Sequence, residues 1–232
     1  IVLNLGRGFA WMRAQNEFLS AGGAAMLPKM TKFALENQLG NFEWACGIPG
    51  TLGGSLWGNA GARGFNGEQW ETRDCAADFH ACVAFSRDGK RRELGKSDVE
   101  FRYRGSNLGE FIVTQATFSL KPLSPEQAKI HKAQVRLLLE KRRATQPANA
   151  ASAGCIWKNP KGQTELGAGA LIEKLGLKGQ KIGGAQVSEI HGNFVINAGG
   201  ASAREVLELV ELVEKRAREE MGISLEREAR FI

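Results

Sequence analysis

The spacing of apolar residues predicts a mixed α+β protein whose pattern changes near residue 122. Before that point the spacing is mostly strand-like, and it predicts strands at residues 1–5, 79–85 and 111–120. In the last of these strands, Ile112, Ala116, Phe118 and Leu120 form one face and alternate with Val113, Gln115, Thr117 and Ser119.

One helix is predicted within this first part of the chain. Pro28 suits a first helical turn, Leu27, Met30 and Ala34 share a face, and Gly40 is the predicted end. The chain is therefore expected to begin with strands that are followed by a helix.

Beyond residue 122 helical spacing dominates. Ser124–Gln127 and Ser202–Glu205 both have the sequence of a capping box, in which a serine pairs with a glutamine or glutamate three positions later. The first predicts a helix through Arg143, and the second predicts a helix that Gly222 ends.

The segments between these two helices are predicted as a loop at 146–161, a short helix that ends near Gly176, and a strand at 193–197. Because the pattern changes near residue 122, we expect two domains there, residues 1–122 and 123–232, each of mixed α+β structure.

A glycine-rich stretch, Gly47–Gly64, follows the first predicted helix, and seven of its eighteen residues are glycine. Such density serves positive φ angles or close approach of the backbone to another group. Successive exposed N–H groups in such a loop form an anion-binding concavity. The stretch matches neither the P-loop nor the G-x-G-x-x-G spacing. A tight structural turn and a phosphate-binding loop both remain open at this point.

Composition limits the class of protein. The chain has 232 residues, 43% hydrophobic and 24% charged, which are ordinary values for a globular protein. No apolar run is long enough for a membrane span, and no secretory segment opens the sequence. Four cysteines and three histidines lack metal-ligand spacing. We expect a reduced, cytoplasmic protein that binds neither a metal nor a membrane.

The net charge of +6 favours an anionic ligand. Basic residues are interleaved with acidic ones, however, and no basic stripe with interspersed aromatic residues is present, which argues against nucleic-acid binding. A phosphorylated small molecule is the expected partner.

Four further segments contain polar residues that folding alone explains poorly: Tyr103–Ser106, Ser152–Pro160, Gly183–His191 and the tail 225–232. Each also has a structural interpretation. Tyr103–Ser106 could form a surface ion pair, and Ser152–Pro160 could place its cysteine in the core. The histidine of Gly183–His191 could be a hydrogen-bonded structural residue.

The tail is predicted to be a strand in which Glu226, Glu228 and Arg230 share one face. Turning acidic side chains inward is costly unless they serve a site.

Together and in this order, the glycine-rich stretch and the four segments resemble the UDP-N-acetylenolpyruvoylglucosamine reductase family. The family pattern is G-I-P-G-x-x-G-G-x-x-x-N-A-G-A-x-G, then Y-R-x-S, S-A-G-S-x-x-K-N-P, I-G-G-A-x-V-S-x-x-H-x-N-F and L-E-x-E-V-R. The resemblance extends over nearly the whole chain.

The resemblance implies an FAD-binding domain of the vanillyl-alcohol-oxidase type at 1–122, followed by a substrate-binding domain at 123–232. It also implies an NADPH-dependent reduction of UDP-N-acetylglucosamine-enolpyruvate to UDP-N-acetylmuramate, a step of peptidoglycan precursor synthesis, by a monomer that binds only small molecules.

Residue roles follow from the matched motifs. The residues expected to bind FAD are Gly47, Ile48, Pro49, Gly50, Gly53, Gly54, Asn59, Ala60 and Gly61. The catalytic residues are expected to be Arg104 and Glu228, which would stabilise the enol, and Cys155, which would donate the proton. Substrate binding is expected from Tyr103, Arg104, Lys158, Asn159 and Gln186.

The chain departs from the family pattern in two places. Cys155 stands where the family usually has serine, and a thiol, with an ordinary pKa of about 8.5, is the stronger acid of the two. The amino-terminal subdomain with its own Gly-Ser-Asn loop has no counterpart in this sequence. We therefore expect an incomplete FAD-binding domain, weak binding of FAD, and the shorter subtype of the family.

Two other functions remain open. The chain could bind the nucleotide sugar without reducing it, or it could be a flavin oxidase of the same superfamily that acts on an alcohol or amine. Binding without NADPH oxidation would identify the first function, and rapid oxygen consumption with an alcohol would identify the second.

Overall fold

The computed structural model describes residues 3–65 and 69–231. These divide into two units, residues 1–140 and 141–232. The elements of the first unit are β1 Met12–Gln15, β2 Phe18–Gly22, α1 Leu27–Glu36, β3 Leu39–Gly40, α2 Leu52–Trp57, β4 Gly61–Phe65, β5 Trp70–Asp74, α3 Cys75–Asp78, β6 Phe79–Ser86, β7 Arg91–Gly95, β8 Phe101–Arg102, β9 Gly105–Ser106, β10 Phe111–Ser119, β11 Lys121–Pro122 and the first part of α4 Pro125–Thr145. Short 3-10 turns lie at Arg7–Phe9, Glu43–Gly47 and Leu108–Glu110.

The second unit contains the end of α4 and then β12 Ser152–Cys155, α5 Ala168–Lys174, β13 Lys181–Ile182, β14 Ala185–Val187, β15 Phe194–Asn197 and α6 Ala203–Met221. The mixed α+β class expected from the sequence is confirmed in both units.

An antiparallel sheet of five strands, in the order β1-β2-β10-β6-β7, forms the centre of the first unit. Its inner face buries Leu19, Ala21, Cys82, Ala84, Ala116 and Phe118 in one core with residues of α1 and α2. Helix α2 contacts β10 directly. The part of the glycine-rich stretch that forms α2 therefore packs against this sheet.

Strand β10 has a bulge that the alternation did not predict. Its pairing with β6 shifts between Val113 and Gln115, so one extra residue is accommodated there. Val113 is consequently buried, and Ile112, which was assigned to the same face as Ala116, is 37% exposed. The pattern was wrong at this point because a bulge exchanges the two faces of a strand.

The expected strand at 1–5 is also wrong where the structure describes it, whereas residues 1 and 2 lie outside the described residues. Leu3 is largely exposed, and the chain runs without regular structure until the turn at Arg7–Phe9. Helix α1 buries Leu27, Met30 and Ala34 as expected, but it ends at Glu36 instead of Gly40.

Helix α4 starts with the predicted capping box, because the Gln127 N–H donates to Ser124 Oγ at 3.2 Å and the Ser124 N–H donates to Gln127 Oε1 at 2.8 Å. Its first turns belong to the first unit, where His131 Nδ1 lies 2.6 Å from Glu43 Oε1 in a buried pair. For this reason the units divide after residue 140, later than the expected boundary near 122.

A four-stranded antiparallel sheet, β12-β15-β14-β13, and helices α5 and α6 form the second unit around their own core. Helix α6 has the predicted capping box at Ser202 and Glu205, and Gly222 ends it in a left-handed conformation. The loop expected at 146–161 is wrong in part, since β12 lies within it and pairs with β15.

None of the helices in the described ranges is both long and apolar enough to span a lipid bilayer.

Candidate functional site

Several glycines of the stretch 47–64 are required for close packing. A Cβ atom on Gly61 would lie 2.6 Å from Asp74 Cβ, and one on Gly64 would lie 2.7 Å from Trp44 Cβ. A Cβ atom on Gly53 would lie 3.2 and 3.3 Å from the carbonyl oxygens of Val113 and Gly23, which is tighter than most Cβ contacts. The structural interpretation, in which the backbone passes close to other backbone, therefore explains these three positions.

Gly54 differs from these glycines. It is exposed, and a Cβ atom there would contact only Thr51 Oγ1, at an ordinary 3.6 Å. Its N–H, in the first turn of α2, has no acceptor among the described residues. Packing within this unit does not require glycine at this position, so Gly54 offers both clearance and a donor to a ligand.

Other N–H groups of the stretch are used inside the protein. The Gly50, Leu52 and Gly53 N–H groups donate to the carbonyl oxygens of Ile48, Ala25 and Gly23 at 2.8–2.9 Å. These bonds hold the start of α2 in place. A phosphate could not use these three donors without breaking them.

The remaining expected FAD-binding residues frame α2. Gly47 ends the preceding 3-10 turn, the Ile48 N–H donates to the Ala45 carbonyl at 3.1 Å, and Pro49 is exposed. At the far end, the Ala60 N–H donates to the Ser55 carbonyl at 2.8 Å.

Asn59 connects α2 to two neighbouring segments. It is buried, and its amide nitrogen donates to Asp74 Oδ2 and to the Arg102 carbonyl, both at 3.1 Å. Its amide oxygen accepts from the Ala76 N–H at 3.2 Å. Asn59 thus makes three bonds that fix the shape of the loop, and its contact with FAD stays a prediction.

Tyr103 and Arg104 form the turn between β8 and β9. Arg104 has a φ of 55°, which few residues other than glycine adopt. Its guanidinium carbon lies 5.4 Å from the centre of the Tyr103 ring. Ser106 Oγ donates to the Trp57 carbonyl at 2.9 Å, and this bond ties the hairpin to the end of α2. The structure therefore brings the Arg104 motif next to the glycine-rich stretch.

In the second unit Cys155 ends β12 opposite Phe194 and is half-buried. The other three cysteines, Cys46, Cys75 and Cys82, are buried. Burial raises the pKa of Cys75 to about 12 and that of Cys82 to about 11, which makes both poor acids and poor nucleophiles at neutral pH. Cys155 is the thiol that a solvent-borne molecule can reach.

The tail returns alongside the Cys155 segment. The Glu228 and Ala229 N–H groups donate to the Ile156 carbonyl at 2.7 and 3.1 Å. The pairing is a single antiparallel bridge between Trp157 and Arg227. The strand predicted at 225–232 is therefore wrong over 225–231, where this bridge stands in its place, and residue 232 lies outside the described residues. The bridge nevertheless places Glu228 next to the residue that follows Cys155.

Lys158, Asn159 and Gln186 all have protein partners. Lys158 forms an ion pair with Glu226. Asn159 Oδ1 accepts from the Ala168 N–H at 3.0 Å, at the start of α5.

The Gln186 side chain is buried and donates to the Gly179 carbonyl at 3.4 Å and to Glu189 Oε1 at 3.3 Å. The structure thus gives these three residues roles in holding the second unit together, and contact with a nucleotide stays a prediction for them.

His191 has a structural role of the kind the sequence left open. Its Nδ1 accepts from the Asn193 N–H at 3.1 Å, and burial lowers its pKa. The neutral ring is therefore the form that makes this bond.

Sequence reasoning missed two residues that shape the Cys155 segment. Asn193 is buried and binds both polar groups of the Trp157 backbone, with Oδ1 2.9 Å from the N–H and Nδ2 2.8 Å from the carbonyl. Glu214 on α6 accepts from Trp157 Nε1 at 3.0 Å and from Arg227. Neither role leaves a local signal, because both depend on contacts between distant segments.

Comparison with known proteins agrees with these motifs. Residues 146–232 match the family profile described as the C-terminal domain of UDP-N-acetylenolpyruvoylglucosamine reductase. The whole chain is 38% identical to UDP-N-acetylenolpyruvoylglucosamine reductase 2 of Symbiobacterium thermophilum and spans 71% of that protein. It is 39% identical, over 93% of its length, to the reductase of Chloroherpeton thalassium and spans 68% of it.

A solved structure is also similar. The crystal structure of UDP-N-acetylenolpyruvylglucosamine reductase from Thermus caldophilus matches 91% of this chain with a TM-score of 0.74 at 36% identity, and the match includes 71% of that protein.

Proposed function

Because this chain belongs to the UDP-N-acetylenolpyruvoylglucosamine reductase family of oxidoreductases, we propose that it reduces the enolpyruvyl group of UDP-N-acetylglucosamine-enolpyruvate to give UDP-N-acetylmuramate. The proposed reductant is NADPH, the proposed carrier is FAD, and the proposed setting is peptidoglycan precursor synthesis. The observation that best supports this function is the pairing of the Cys155 segment with the tail, in which the Glu228 N–H donates to the carbonyl of Ile156, the residue that follows Cys155.

The proposed FAD site lies in the first unit, which we propose to be a domain of the vanillyl-alcohol-oxidase type. The residues present fit the cofactor, because Gly54 is exposed and leaves a backbone donor on a loop whose neighbouring N–H groups bond within the protein. When bound, FAD would take a hydride from NADPH and give one to the substrate. The chain's own contribution there is a surface with small residues.

Arg104 is proposed to stabilise negative charge on the substrate. Hydride addition to the enolpyruvyl double bond leaves charge on the neighbouring carbon and its carboxylate, and a fixed cation stabilises that charge most effectively in a water-poor site. Arg104 sits at a hairpin turn with a left-handed backbone, and Ser106 anchors that hairpin to α2. An uncommon backbone conformation at such a position is consistent with a functional role.

Cys155 is proposed to donate the proton that completes the reduction, and Glu228 is proposed to assist in stabilising the enol. A thiol with an ordinary pKa of about 8.5 is mostly protonated at pH 7 and can act as a general acid. The half-buried position of Cys155 allows the thiol to meet a substrate.

The function is tested by NADPH oxidation with FAD in excess. We expect oxidation that requires UDP-N-acetylglucosamine-enolpyruvate, with one NADPH consumed for each UDP-N-acetylmuramate formed. UDP-N-acetylglucosamine is the matched control, since it has the same nucleotide and sugar but no enolpyruvyl group to reduce. Calorimetric binding of both sugars without NADPH oxidation would contradict the proposal and favour a binding module. Oxygen consumption with an alcohol or amine would favour an oxidase.

The proposed FAD site gives a separate prediction at Gly54. Gly54→Ala should leave the melting temperature unchanged or slightly higher, because alanine is the better helix former by about 1 kcal/mol and its Cβ has room. If the Gly54 surface contacts FAD, affinity for FAD should fall about tenfold, a loss of about 1.4 kcal/mol. Flavin fluorescence titration measures this affinity.

Gly58→Ala is the control for this prediction, since Gly58 lies at the other end of α2 and an added Cβ would be 3.5 Å from its nearest neighbour. Equal FAD affinity in the two variants and the unchanged protein would place the cofactor elsewhere.

A further inference from the structure

The Glu214 carboxylate on helix α6 binds two other segments of the second unit, the Cys155 segment through Trp157 and the tail through Arg227. Its Oε1 accepts from Trp157 Nε1 at 3.0 Å and from Arg227 Nε at 2.6 Å, and its Oε2 accepts from Arg227 Nη2 at 2.7 Å. The Glu214 side chain is only 16% exposed. A bidentate pair between a guanidinium and a carboxylate is both strong and geometrically specific.

The two residues that Glu214 binds lie directly opposite each other. Trp157 and Arg227 form the antiparallel bridge, and the hydrogen bonds on either side of them are Lys158 N–H to the Glu226 carbonyl and Glu228 N–H to the Ile156 carbonyl. They are therefore a non-hydrogen-bonded pair, whose side chains lie close together on one face. One carboxylate can reach both for this reason.

This bridge alone specifies the register of the tail poorly. A slip of one residue turns every side chain of a strand to its other face, and register is best specified where many side chains are committed to one face. The tail makes few backbone bonds to the Cys155 segment. Side chains add to these bonds, because Gln163 and Lys158 bind residues that precede Arg227, and Glu214 binds Arg227 itself.

The sequence of the tail makes that contact selective. Arg227 stands between Glu226 and Glu228, so a slip of one residue in either direction would bring a glutamate against Glu214. Two carboxylates in a partly buried place repel each other. Glu214 thus favours the observed register by attraction and disfavours both neighbouring registers by repulsion.

We propose that Glu214 is a positioning residue, which fixes the register of the tail and so holds Glu228 beside the segment that contains Cys155. The effect on catalysis rests on the proposed function, because only that function gives Glu228 and Cys155 a reaction to share. The effect on register does not depend on it.

Amide hydrogen exchange tests the register directly. In Glu214→Gln, the Glu228 and Ala229 amides, which donate to the Ile156 carbonyl, should exchange about tenfold faster, as expected from the loss of one charge-assisted pair. Helix α5 serves as the internal reference and should not change. Glu211→Gln is the matched control, because Glu211 is one turn away, is 58% exposed and lies 3.8 Å from Arg227.

A double-mutant cycle separates positioning from general stability. Glu214→Gln, Arg227→Gln and the double variant should show similar acceleration of exchange, since each removes the bidentate pair between Glu214 and Arg227. Additive effects, or unchanged exchange in Glu214→Gln, would overturn the proposal whatever the protein catalyses.

Kinetics then tests the consequence for the reaction. In Glu214→Gln we expect kcat to fall about tenfold through the substrate-dependent half-reaction, while reduction of FAD by NADPH and the KM for the sugar nucleotide stay unchanged. Equal losses in both half-reactions would indicate general damage and contradict a positioning role. If the unchanged protein lacks reductase activity altogether, the proposed function fails and hydrogen exchange still decides the register.

Discussion

Replacing Cys155 with alanine should leave reduction of bound FAD by NADPH intact and slow the reoxidation of the reduced cofactor by substrate about 10²–10⁴-fold. This is the usual contribution of a general acid. Alanine removes the S–H group and little else, because Cys155 is half-buried at the end of β12 and its backbone is paired with Phe194. Stopped-flow absorbance of the flavin separates the two half-reactions, so the effect is assigned to one step.

Cys155→Ser is the matched control for this prediction. It keeps a proton donor of similar size, and serine is the residue that the family resemblance places at this position. We therefore expect it to retain most of the substrate-dependent rate. A Cys155→Ala protein with both half-reactions unchanged would show that the proton comes from another group.

Alkylation gives an independent measurement of the same residue. Iodoacetamide should modify Cys155 in preference to the other three cysteines, which are buried. UDP-N-acetylglucosamine-enolpyruvate should slow the modification if it binds beside this thiol. The Cys155→Ser protein should be resistant to inactivation, and inactivation of that variant at the same rate would contradict the assignment.

The helices were predictable because their signals are local. The capping boxes at Ser124 and Ser202, and Gly222 as the end of α6, are all found in the structure. A cap involves residues three or four positions apart, so one sequence suffices to recognise it.

The strands were predicted less well because pairing is not local. The bulge in β10 is defined by its partner β6, and β12 exists because β15 lies beside it. The sequence of β12, Ser-Ala-Gly-Cys, has no apolar alternation that would indicate a strand.

The residues of the candidate site likewise differ in whether a local sequence signal reveals them. The expected site residues Cys155 and Glu228 could be selected from the sequence. The residues that hold the segments around them, Asn193 and Glu214, could not, since each binds a segment far away in the chain. A glutamate on a helix and an asparagine before a strand are ordinary until the fold shows what they bind.

Replacing Asn193 with aspartate should lower the free energy of unfolding by about 2–5 kcal/mol at neutral pH. The asparagine amide accepts from the Trp157 N–H and donates to the Trp157 carbonyl. Aspartate keeps the acceptor but turns the donor into a second acceptor, which faces a buried carbonyl oxygen. Denaturant unfolding monitored by tryptophan fluorescence measures the loss.

Asn197→Asp is the matched control, because Asn197 ends the strand that follows Asn193, and the bonds of its side chain within the described part of the chain are made by Oδ1, which accepts from the Gly199 and Ala201 N–H groups at 3.0 Å. Aspartate can accept both bonds, so the free energy of unfolding should change little. Equal destabilisation by the two substitutions would show that the loss of the two hydrogen bonds between Asn193 and the Trp157 backbone is not the cause.

The destabilisation caused by Asn193→Asp should also depend on pH, with a sign that follows from the two bonds. Only the protonated carboxyl can donate to the Trp157 carbonyl, so its pKa in the folded variant should lie above the ordinary value of about 3.9. The stabilising bond is then fully present below pH ~3.9 and is lost as the pH rises through the folded-state pKa. Relative to the unchanged protein, the variant should therefore recover part of its stability on acidification. A difference between the two proteins that stays constant with pH would contradict a donor role for the Asn193 amide and, with it, the account of how this residue holds Trp157 between Cys155 and Asn159.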